Sequence, residues 1–313
     1  MLKIRVGADP EAFISSSYSN REDYIWPNST TLPGTKHQPF IVKDGAIQID
    51  GLAAEWNIDP ADNETEFTTR LKSVFSEITK RYGWGTKVKI VPVAEFLPQN
   101  IKYLPRPVVE LGCVPDYNAY TEDQNPSPKL PDNDPYKQLL RAAGGHLHLG
   151  WTEGVDVNDP NHRKDCWEVV KQLDFYLGLP SLYWDKDNRR RELYGKAGAC
   201  RVKPYGVEYR TLSNQWLRGL QDKSEEDLMG FVYRQAVKAI RDLEDGKKAY
   251  NRHGMSARNM IDGIGKETYN ALLYKTYFPE LPERYLPKED KVVESPLLKK
   301  PRKKKPETLD GDF

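Results

Sequence analysis

The fold of this chain is most strongly constrained by a seven-residue stretch, 144–150, in which two of its five histidines lie one residue apart. The stretch reads Gly-Gly-His-Leu-His-Leu-Gly. Successive side chains of an extended strand point to opposite faces, so His146 and His148 share one face while Leu147 and Leu149 share the other. The flanking glycines allow a ligand or another backbone to approach closely. The pattern therefore predicts a strand with one polar and one apolar face.

Polar side chains with the same spacing of two occur in three further strand-like segments. They are Asp9 and Glu11, Glu55 and Asn57, and Glu208 and Arg210. We expect these segments to be strands of one sheet, with the four polar pairs on a common face. Such a face is acidic and carries histidine, which favours metal-dependent chemistry on phosphate groups.

Length and charge restrict the class of protein. The 313 residues can form one large domain or two smaller ones, and a net charge of +1 provides no overall attraction to nucleic acid or membrane. Six lysines and arginines crowd the run 299–305, which leaves the remainder net acidic. Because proline interrupts this run, we interpret it as a solubilising extension; a nucleic-acid partner, which would depend on lysine–phosphate attraction alone, is disfavoured.

Cysteine spacing and hydropathy bear on location. The three cysteines, Cys113, Cys166 and Cys200, are far apart and lack zinc-ribbon or C-x-x-C spacing, which indicates a reduced, intracellular protein. The chain does not open with a signal-peptide pattern, and no apolar run approaches roughly 18 residues. We therefore expect a cytoplasmic protein without a membrane partner.

Periodicity and turn residues predict strands interspersed with helices. Strands are predicted within 1–14 (with a turn at 7–10), 38–42, 46–58, 87–96 and 107–114, and long loops at 15–40 and 115–135. Helices are predicted after Asn63, after Asp159 (ending near 178–180), after Ser224, and over 267–277.

These elements indicate an α+β domain built on an antiparallel β-sheet flanked by helices. A doubly wound sheet fits poorly, because the chain has neither a G-x-G-x-x-G turn nor a P-loop. We expect a single domain over 1–282, followed by a charged, proline-containing flexible tail over 283–313.

Four glutamates stand in otherwise apolar, strand-like segments: Glu11, Glu55, Glu110 and Glu208. Burying an unpaired carboxylate is costly, so such groups should be paired or bound to a cation. The alternative is that each faces solvent on a half-exposed sheet. Together with His146 they suggest an oxygen-rich site with one imidazole, which suits Mg²⁺ or Mn²⁺.

Basic side chains are concentrated in 191–201 and again at Arg210. The planar guanidinium of arginine matches phosphate oxygens in a bidentate manner, and arginines beside metal-bound carboxylates are what phosphoryl transfer requires. Arg201 and Arg210 are the predicted phosphate ligands. The alternative is a surface salt-bridge network, to which we assign Arg189 and Arg190.

In this order, the segments resemble carboxylate–amine (COOH–NH2) ligases of the glutamine synthetase fold, in particular their phage-encoded branch. The resemblance spans roughly residues 4–220 and is carried by Gly-Ala-Asp-Pro-Glu (7–11), Asp-Gly-Leu-Ala-Ala-Glu (50–55), Glu-Leu-Gly-Cys-Val-Pro-Asp-Tyr-Asn-Ala (110–119), Gly-Gly-His-Leu-His-Leu-Gly (144–150), Tyr-Gly-Lys-Ala-Gly-Ala-Cys-Arg (194–201) and Glu-Tyr-Arg (208–210). It implies a glutamine-synthetase-like catalytic domain with a curved antiparallel sheet. It also implies ATP-dependent joining of a small-molecule or peptide carboxylate to an amine through an acyl-phosphate, in host cytoplasm if phage-encoded.

The resemblance also implies roles for individual residues. Glu11, Glu55, His146 and Glu208, with Asp9 and Glu110, would hold Mg²⁺ or Mn²⁺; Arg201 and Arg210 would clamp the γ-phosphate and acyl-phosphate, assisted by Arg191 and Lys196; His148 would order His146 or contact substrate. Asp9 departs from the glutamate that glutamine synthetase has at this position.

Two other functions stay open at this point. The chain could be a catalytically silent nucleotide-binding or virion-associated protein that keeps the fold. It could also be a metal-dependent phosphohydrolase that uses the same carboxylates with water as the nucleophile.

Overall fold

The computed structural model describes residues 2–16, 25–26, 31–82, 85–110, 116–126, 134–250, 256–263 and 276–286. Within them the strands are β1 (Arg5–Ser16), β2 (Ile25–Trp26), β3 (Phe40–Val42), β4 (Gly45–Asp50), β5 (Ala53–Ile58), β6 (Thr86–Lys89), β7 (Val93–Glu95), β8 (Tyr117–Asn118), β9 (Leu140–Ala142), β10 (Gly145–Gly150), β11 (Ala199–Lys203) and β12 (Gly206–Tyr209).

The α-helices of the described residues are α1 (Glu64–Arg81), α2 (Pro98–Ile101), α3 (Arg106–Val109), α4 (Pro160–Leu173), α5 (Leu179–Trp184), α6 (Arg189–Leu193), α7 (Asp227–Glu244) and α8 (Ala257–Ile261). A π-helical turn, Asp174–Gly178, joins α4 to α5, and short 3₁₀ turns lie at Pro135–Lys137, Asn214–Leu220, Lys223–Glu225 and Glu283–Tyr285. None of these helices combines the length and the apolar character needed to cross a bilayer.

The main sheet has ten strands and is antiparallel in its described pairs. Its order is β3-β4-β5-β1-β10-β12-β11-β8, with β2 and β6 also paired to β1. β7 and β9 form a separate two-stranded sheet over a small second apolar core. The predicted class, helices with an antiparallel sheet, is confirmed.

The strands that carry the four polar pairs are consecutive neighbours, β5, β1, β10 and β12. Asp9 lies opposite His146, and Glu11 lies opposite Glu55. On the next strand His148 lies opposite Glu208. Directly opposed residues of antiparallel strands project to the same side, so the polar pairs share one face as predicted.

The opposite face of these strands is the main core. Val6, Leu147, Leu149 and Val207 are fully buried there, and helices α1, α4 and α7 cover them. Alternation of side chains along each strand therefore gives the sheet an apolar face, whose burial stabilises the fold, and a polar face, which can bind ligands.

Helix α1 begins where the sequence predicted. The Asn63 side chain accepts a hydrogen bond from the Glu66 amide at 2.9 Å, which satisfies one of the free donors of the first turn. The Glu66 carboxylate accepts from the Asp62 amide rather than from that of Asn63. The predicted apolar stripe, Phe67, Leu71, Val74, Phe75 and Ile78, is buried.

Three strand predictions need correction. The turn predicted at 7–10 is absent, because β1 continues through these residues. Pro10 lies at the end of the pairing between β1 and β10, where the lack of a backbone N–H disturbs the fewest hydrogen bonds between the strands. The segment 46–58 is two strands, since Gly51 adopts φ +56° between β4 and β5. The segment 87–96 is likewise divided around Pro92 into β6 and β7.

The strand predicted over 107–114 is wrong in its described part. Residues 106–109 form helix α3, with proline in its first turn, where the missing N–H costs no helical hydrogen bond. Residues 111–114 lie outside the described residues. Part of each predicted long loop is strand, since β2 lies within 15–40 and β8 within 115–135.

Two helix predictions also differ. The Asp159 carboxylate caps α4 as expected, but the helical path does not stop near 178–180: the π-helical turn leads into α5, in which Pro180 occupies the tolerant first turn. Ser224 is not the cap of α7. It lies in a 3₁₀ turn where its own amide donates to Asp222, and α7 begins at Asp227 without a side-chain cap.

After α7, fewer of the structural elements were predicted from the sequence. Helix α8 was not foreseen, and the helix predicted over 267–277 falls largely outside the described residues. Tyr285 is buried, with its ring 6.2 Å from that of Trp184, so packing on the domain extends past residue 282. The basic run 299–305 lies outside the described residues, and the division at 282/283 stays a prediction.

A buried carboxyl group joins the helical layer to the loop before β11. Asp174, in the π-helical turn, accepts from the Gly198 amide and the Tyr209 hydroxyl, both at 2.7 Å, and from the Thr211 hydroxyl at 3.2 Å. Burial raises the pKa of Asp174 to about 7, although hydrogen bonds from Tyr209, Tyr120 and the Gly198 amide oppose the rise. The loop that leads to Arg201 is therefore fixed from the helical side.

We expect Asn63→Ala to lower the free energy of unfolding by about 1 kcal/mol, because it removes the side-chain cap of α1. Ser224→Ala should change it by no more than about 0.5 kcal/mol, since Ser224 caps no helix. Urea denaturation of both variants against wild type checks the pair. Equal losses would contradict the assignment of helix starts.

We expect Asp174→Asn to flatten the pH dependence of the unfolding free energy between pH 4 and 7. The folded-state pKa of about 7 lies above the ordinary 3.8, so the folded state binds more protons across this range and wild-type stability falls as pH rises through it. The fall attributable to Asp174 is at most roughly 4 kcal/mol. Asparagine imitates the neutral carboxyl and has no proton to lose.

Chemical denaturation at several pH values measures this slope. Asp174→Ala serves as the control, because it should be destabilised at every pH through loss of the buried hydrogen bonds. Parallel curves for wild type and Asp174→Asn would show that Asp174 does not titrate in this range.

Candidate active site

Three potential metal ligands meet at the centre of the polar face. His146 Nδ1 lies 3.4 Å from Asp9 Oδ1 and 3.9 Å from Glu208 Oε1. One ligand atom from each of these residues lies within 4.8 Å of the other two. His146 and Glu208 are 2% and 1% exposed, so they are well shielded from water. We call Asp9, His146 and Glu208 the central cluster.

Glycine makes room for the imidazole of the central cluster. A Cβ atom at Gly144 would lie 2.1 Å from His146 Nε2, and one at Gly145 would lie 2.4 Å from the Ser213 carbonyl oxygen. His146 Nε2 is buried and has no hydrogen-bond partner among the described residues. Gly144 therefore leaves room for the His146 ring, whereas Gly145 allows the start of β10 to approach the backbone of Ser213 and Asn214.

Glu208 is surrounded by basic side chains. Its Oε1 accepts from Arg210 Nη1 and from Arg201 Nη1, the latter at 3.2 Å, and its Oε2 lies 2.9 Å from Lys203 Nζ. Burial and the nearby Asp9 would raise its pKa, but Arg210, His148 and His146 lower the pKa of Glu208 to about 2. Glu208 is therefore ionised, and the positive charges around it outnumber its single negative charge.

Asp9 is held by the second histidine of the motif. His148 Nε2 lies 3.0 Å from Asp9 Oδ1, and His148 Nδ1 is hydrogen-bonded to the Tyr205 hydroxyl. Burial alone would raise the pKa of Asp9, yet His148 and His146 keep it well below its usual range. His148 thus contacts Asp9, and its predicted role of ordering His146 or contacting substrate stays a prediction.

Glu11 and Glu55 form an acidic pair next to the central cluster. Glu11 Oε2 accepts from the Gly144 amide at 2.7 Å and from the Tyr194 hydroxyl at 3.3 Å, while Glu55 Oε2 accepts from Gln48 at 2.8 Å. Burial, together with the neighbouring carboxylates of Asp9, Glu11 and Asp50, raises the pKa of Glu55 well above its usual value. This part of the face is short of positive charge.

The other predicted residues are distributed differently. Arg210 pairs with Glu208 and also with Asp116, the latter at 3.3 Å. Arg201 pairs with Glu208 as well. Arg191 forms a buried pair with Asp185, 3.3 Å away, and Lys196 is exposed. Glu110 is half exposed at the end of α3, where it pairs with Arg106 at 2.6 Å. The structure does not bring Glu110 into the central cluster, because its segment is helical rather than a strand of the sheet.

Arg190 is not part of a surface network, contrary to the sequence interpretation. It is completely buried and donates to the backbone carbonyls of Thr211 at 2.7 Å and Arg210 at 3.0 Å. Its guanidinium stacks 4.5 Å from the Tyr194 ring, and Gly195, at φ +80°, leaves room for it. Arg190 therefore supports the backbone of Arg210 and the ring of Tyr194.

Three residues of the face were missed by the sequence argument. Lys203 could have been found, since it stands two residues after Arg201 on β11 and so shares its face. Tyr194 and Tyr205 lie outside strands, so no periodicity marks them. Tyr194 contacts Glu11 and stands with its ring 6.2 Å from that of His146.

A cavity of about 700 Å³ opens beside the central cluster. His148 and Tyr205 line it next to Gly7, and Trp151 provides an aromatic wall. The basic side chains of Lys3 and Arg5 stand among its lining. A cavity of this size, mainly apolar with a few polar groups, suits an organic ligand of drug-like size.

The polar face thus has two electrostatic halves. Three basic groups lie around Glu208 and are suited to bind an anion such as phosphate: Arg201, Lys203 and Arg210. Around Glu11 and Glu55, no described basic side chain forms an ion pair with either carboxylate, and the nearby Lys36 pairs with Asp50 at 2.7 Å. The central cluster between the halves offers two carboxylates and one imidazole nitrogen. This donor set fits a hard divalent cation with one nitrogen ligand.

No curated protein matches the chain in sequence. A similar solved structure is the crystal structure of a bifunctional glutathione synthetase from Pasteurella multocida, with 11% identity and a TM-score of 0.40. That similarity covers 90% of this chain and 46% of the other, so this chain spans less than half of that enzyme's length. Residues 131–222, which include His146, Arg201, Glu208 and Arg210, match the family described as phage phiEco32-like COOH.NH2 ligase-type 2. The match to this ligase family is the resemblance that the order of the motifs predicted.

Proposed function

We propose that the protein is an ATP-dependent carboxylate–amine ligase that forms an amide bond through an acyl-phosphate and requires a divalent cation. The family match supports the joining of a carboxylate to an amine. The observation that carries the rest is the position of the central cluster, which lies between a phosphate-compatible basic half and an acidic half of one sheet face.

Asp9, His146 and Glu208 would hold Mg²⁺ or Mn²⁺, and Glu11 with Glu55 would hold a second ion. The raised pKa of Glu55 supports this, because it reflects burial of the carboxylate beside Asp9, Glu11 and Asp50. When bound, such ions neutralise phosphate oxygens and make the phosphorus easier to attack. Glu110 has no part in this site.

The basic residues of the chain would act on the phosphoryl group. Arg201, Lys203 and Arg210 would stabilise the charge that develops when a carboxylate oxygen of the substrate bonds to the γ-phosphorus and ADP leaves. The amine nitrogen would then bond to the acyl carbon as inorganic phosphate leaves. The proton that the amine loses would pass to a nearby carboxylate that does not bind metal.

The cavity would hold the nucleoside part of ATP. Trp151 and Tyr205 offer aromatic surface, and His148 links the cavity to the central cluster. Lys196, exposed on the loop before β11, would help to neutralise phosphate or substrate charge. Substrates would be small-molecule or peptide carboxylates and amines, bound by a catalytic domain over 1–282 with residues 283–313 as its tail.

The first test is ADP release by the purified protein with Mg²⁺ or Mn²⁺ against a pooled panel of amino acids and amines. We expect substrate-stimulated ADP release that falls at least about 100-fold in Glu208→Gln and His146→Ala, because each removes a ligand of the central cluster. Glu110→Gln is the matched control and should retain wild-type turnover.

Other outcomes of this assay point elsewhere. Phosphate release that is independent of any amine would favour a metal-dependent phosphohydrolase. Nucleotide binding by calorimetry without metal-dependent turnover would favour a catalytically silent binding protein. Full turnover in both cluster variants would refute the site.

We expect Gly144→Ala to weaken Mn²⁺ binding about 10- to 100-fold, because the added methyl group must displace His146 from the cluster. Gly150→Ala, on the same strand, is the control, since its nearest neighbour would be 3.6 Å from the new Cβ. Titration of free Mn²⁺ by electron paramagnetic resonance measures both. An unchanged affinity in Gly144→Ala would exclude His146 as a ligand.

A further inference from the structure

His148 and Tyr205 lie beside the central cluster, on its side towards the cavity. His148 Nδ1 is hydrogen-bonded to the Tyr205 hydroxyl, and His148 Nε2 lies 3.0 Å from Asp9 Oδ1, within ion-pair distance. Both residues also line the cavity. The three groups form a continuous chain from the cavity to a carboxylate of the central cluster.

The protonation of the His148 ring decides which of these groups donate hydrogen bonds and which accept them. In neutral histidine one ring nitrogen donates and the other accepts, and in the protonated form both donate. A carboxylate beside Nε2 favours the forms of His148 in which Nε2 carries a hydrogen. These are the protonated form and the neutral tautomer whose unprotonated Nδ1 accepts from the Tyr205 hydroxyl. The other neutral tautomer would turn a lone pair towards Asp9, which is unfavourable.

Tyr205 is anchored independently of the site. Its carbonyl accepts from the amides of Trp151 at 2.9 Å and Thr152 at 3.1 Å, which fixes the connection between β11 and β12 against the end of β10. Its ring lies 6.0 Å from that of His148. A residue held by the sheet in this manner can impose an orientation on His148 rather than follow it.

We infer that Tyr205 and His148 are positioning residues that hold the Asp9 carboxylate in the central cluster and thereby set its affinity for a divalent cation. The inference rests on the proposed metal site. Partners of this kind, hydrogen-bonded behind a ligand, typically change metal affinity 10- to 100-fold when removed.

The test is Mn²⁺ affinity, measured by electron paramagnetic resonance without nucleotide or substrate. We expect Tyr205→Phe, which keeps the ring and removes only the hydroxyl, to weaken binding about 10-fold with an unchanged melting temperature. Tyr250→Phe is the matched control, since its hydroxyl donates to Glu168 at 2.7 Å on another part of the molecule. It should bind Mn²⁺ as wild type does.

A double-mutant cycle separates positioning from general damage. If Tyr205 acts only through His148, Tyr205→Phe should have no further effect in a His148→Ala background, although each single variant is weakened. Additive losses would overturn the inference, as would wild-type affinity in Tyr205→Phe. Absence of Mn²⁺ binding by the wild-type protein would instead refute the proposed metal site, and with it this inference.

Discussion

The pairing of β1 between β5 and β10 is the constraint on which the rest of the polar face depends. It sets Asp9 opposite His146 and Glu11 opposite Glu55, and β12 extends the same register to Glu208. A shift by one residue would turn every one of these side chains into the apolar core. Burial of Val6, Leu147 and Val207 against the helices therefore stabilises the fold and the geometry of the site together.

Charge is distributed over this face in a way that ordinary folding would not favour. Glu55 is buried beside other carboxylates, whereas Glu208, two strands from β1, is buried among three basic groups. Burial of like charges costs stability unless a counter-ion is present. Such an imbalance is typical of sites that bind charged ligands, and here it would be relieved by a cation at one end and an anion at the other.

The part of the site that could be predicted from sequence is the part that follows the period of two. His146, Asp9 and Glu208 were identified because strand alternation is a local property. Glu110 was assigned to the same group on its apolar surroundings, but Pro107 favours the first turn of a helix and removed it from the sheet. The order of the strands could not be read from the sequence, because it depends on contacts between segments far apart in the chain, such as Asp9 with His146 and Leu147 with Tyr209.

The supporting residues show why local patterns are insufficient. Arg190 resembles a surface arginine in sequence, yet it is buried and donates to the carbonyl groups of Arg210 and Thr211, just after β12. Tyr205 lies in a tight connection, and only the packing of that connection on β10 brings its hydroxyl to His148. The charged side chains of the polar face are therefore visible in the sequence, whereas the hydrogen bonds that orient them arise from tertiary structure. This difference explains why a complete site requires both the motif and the fold around it.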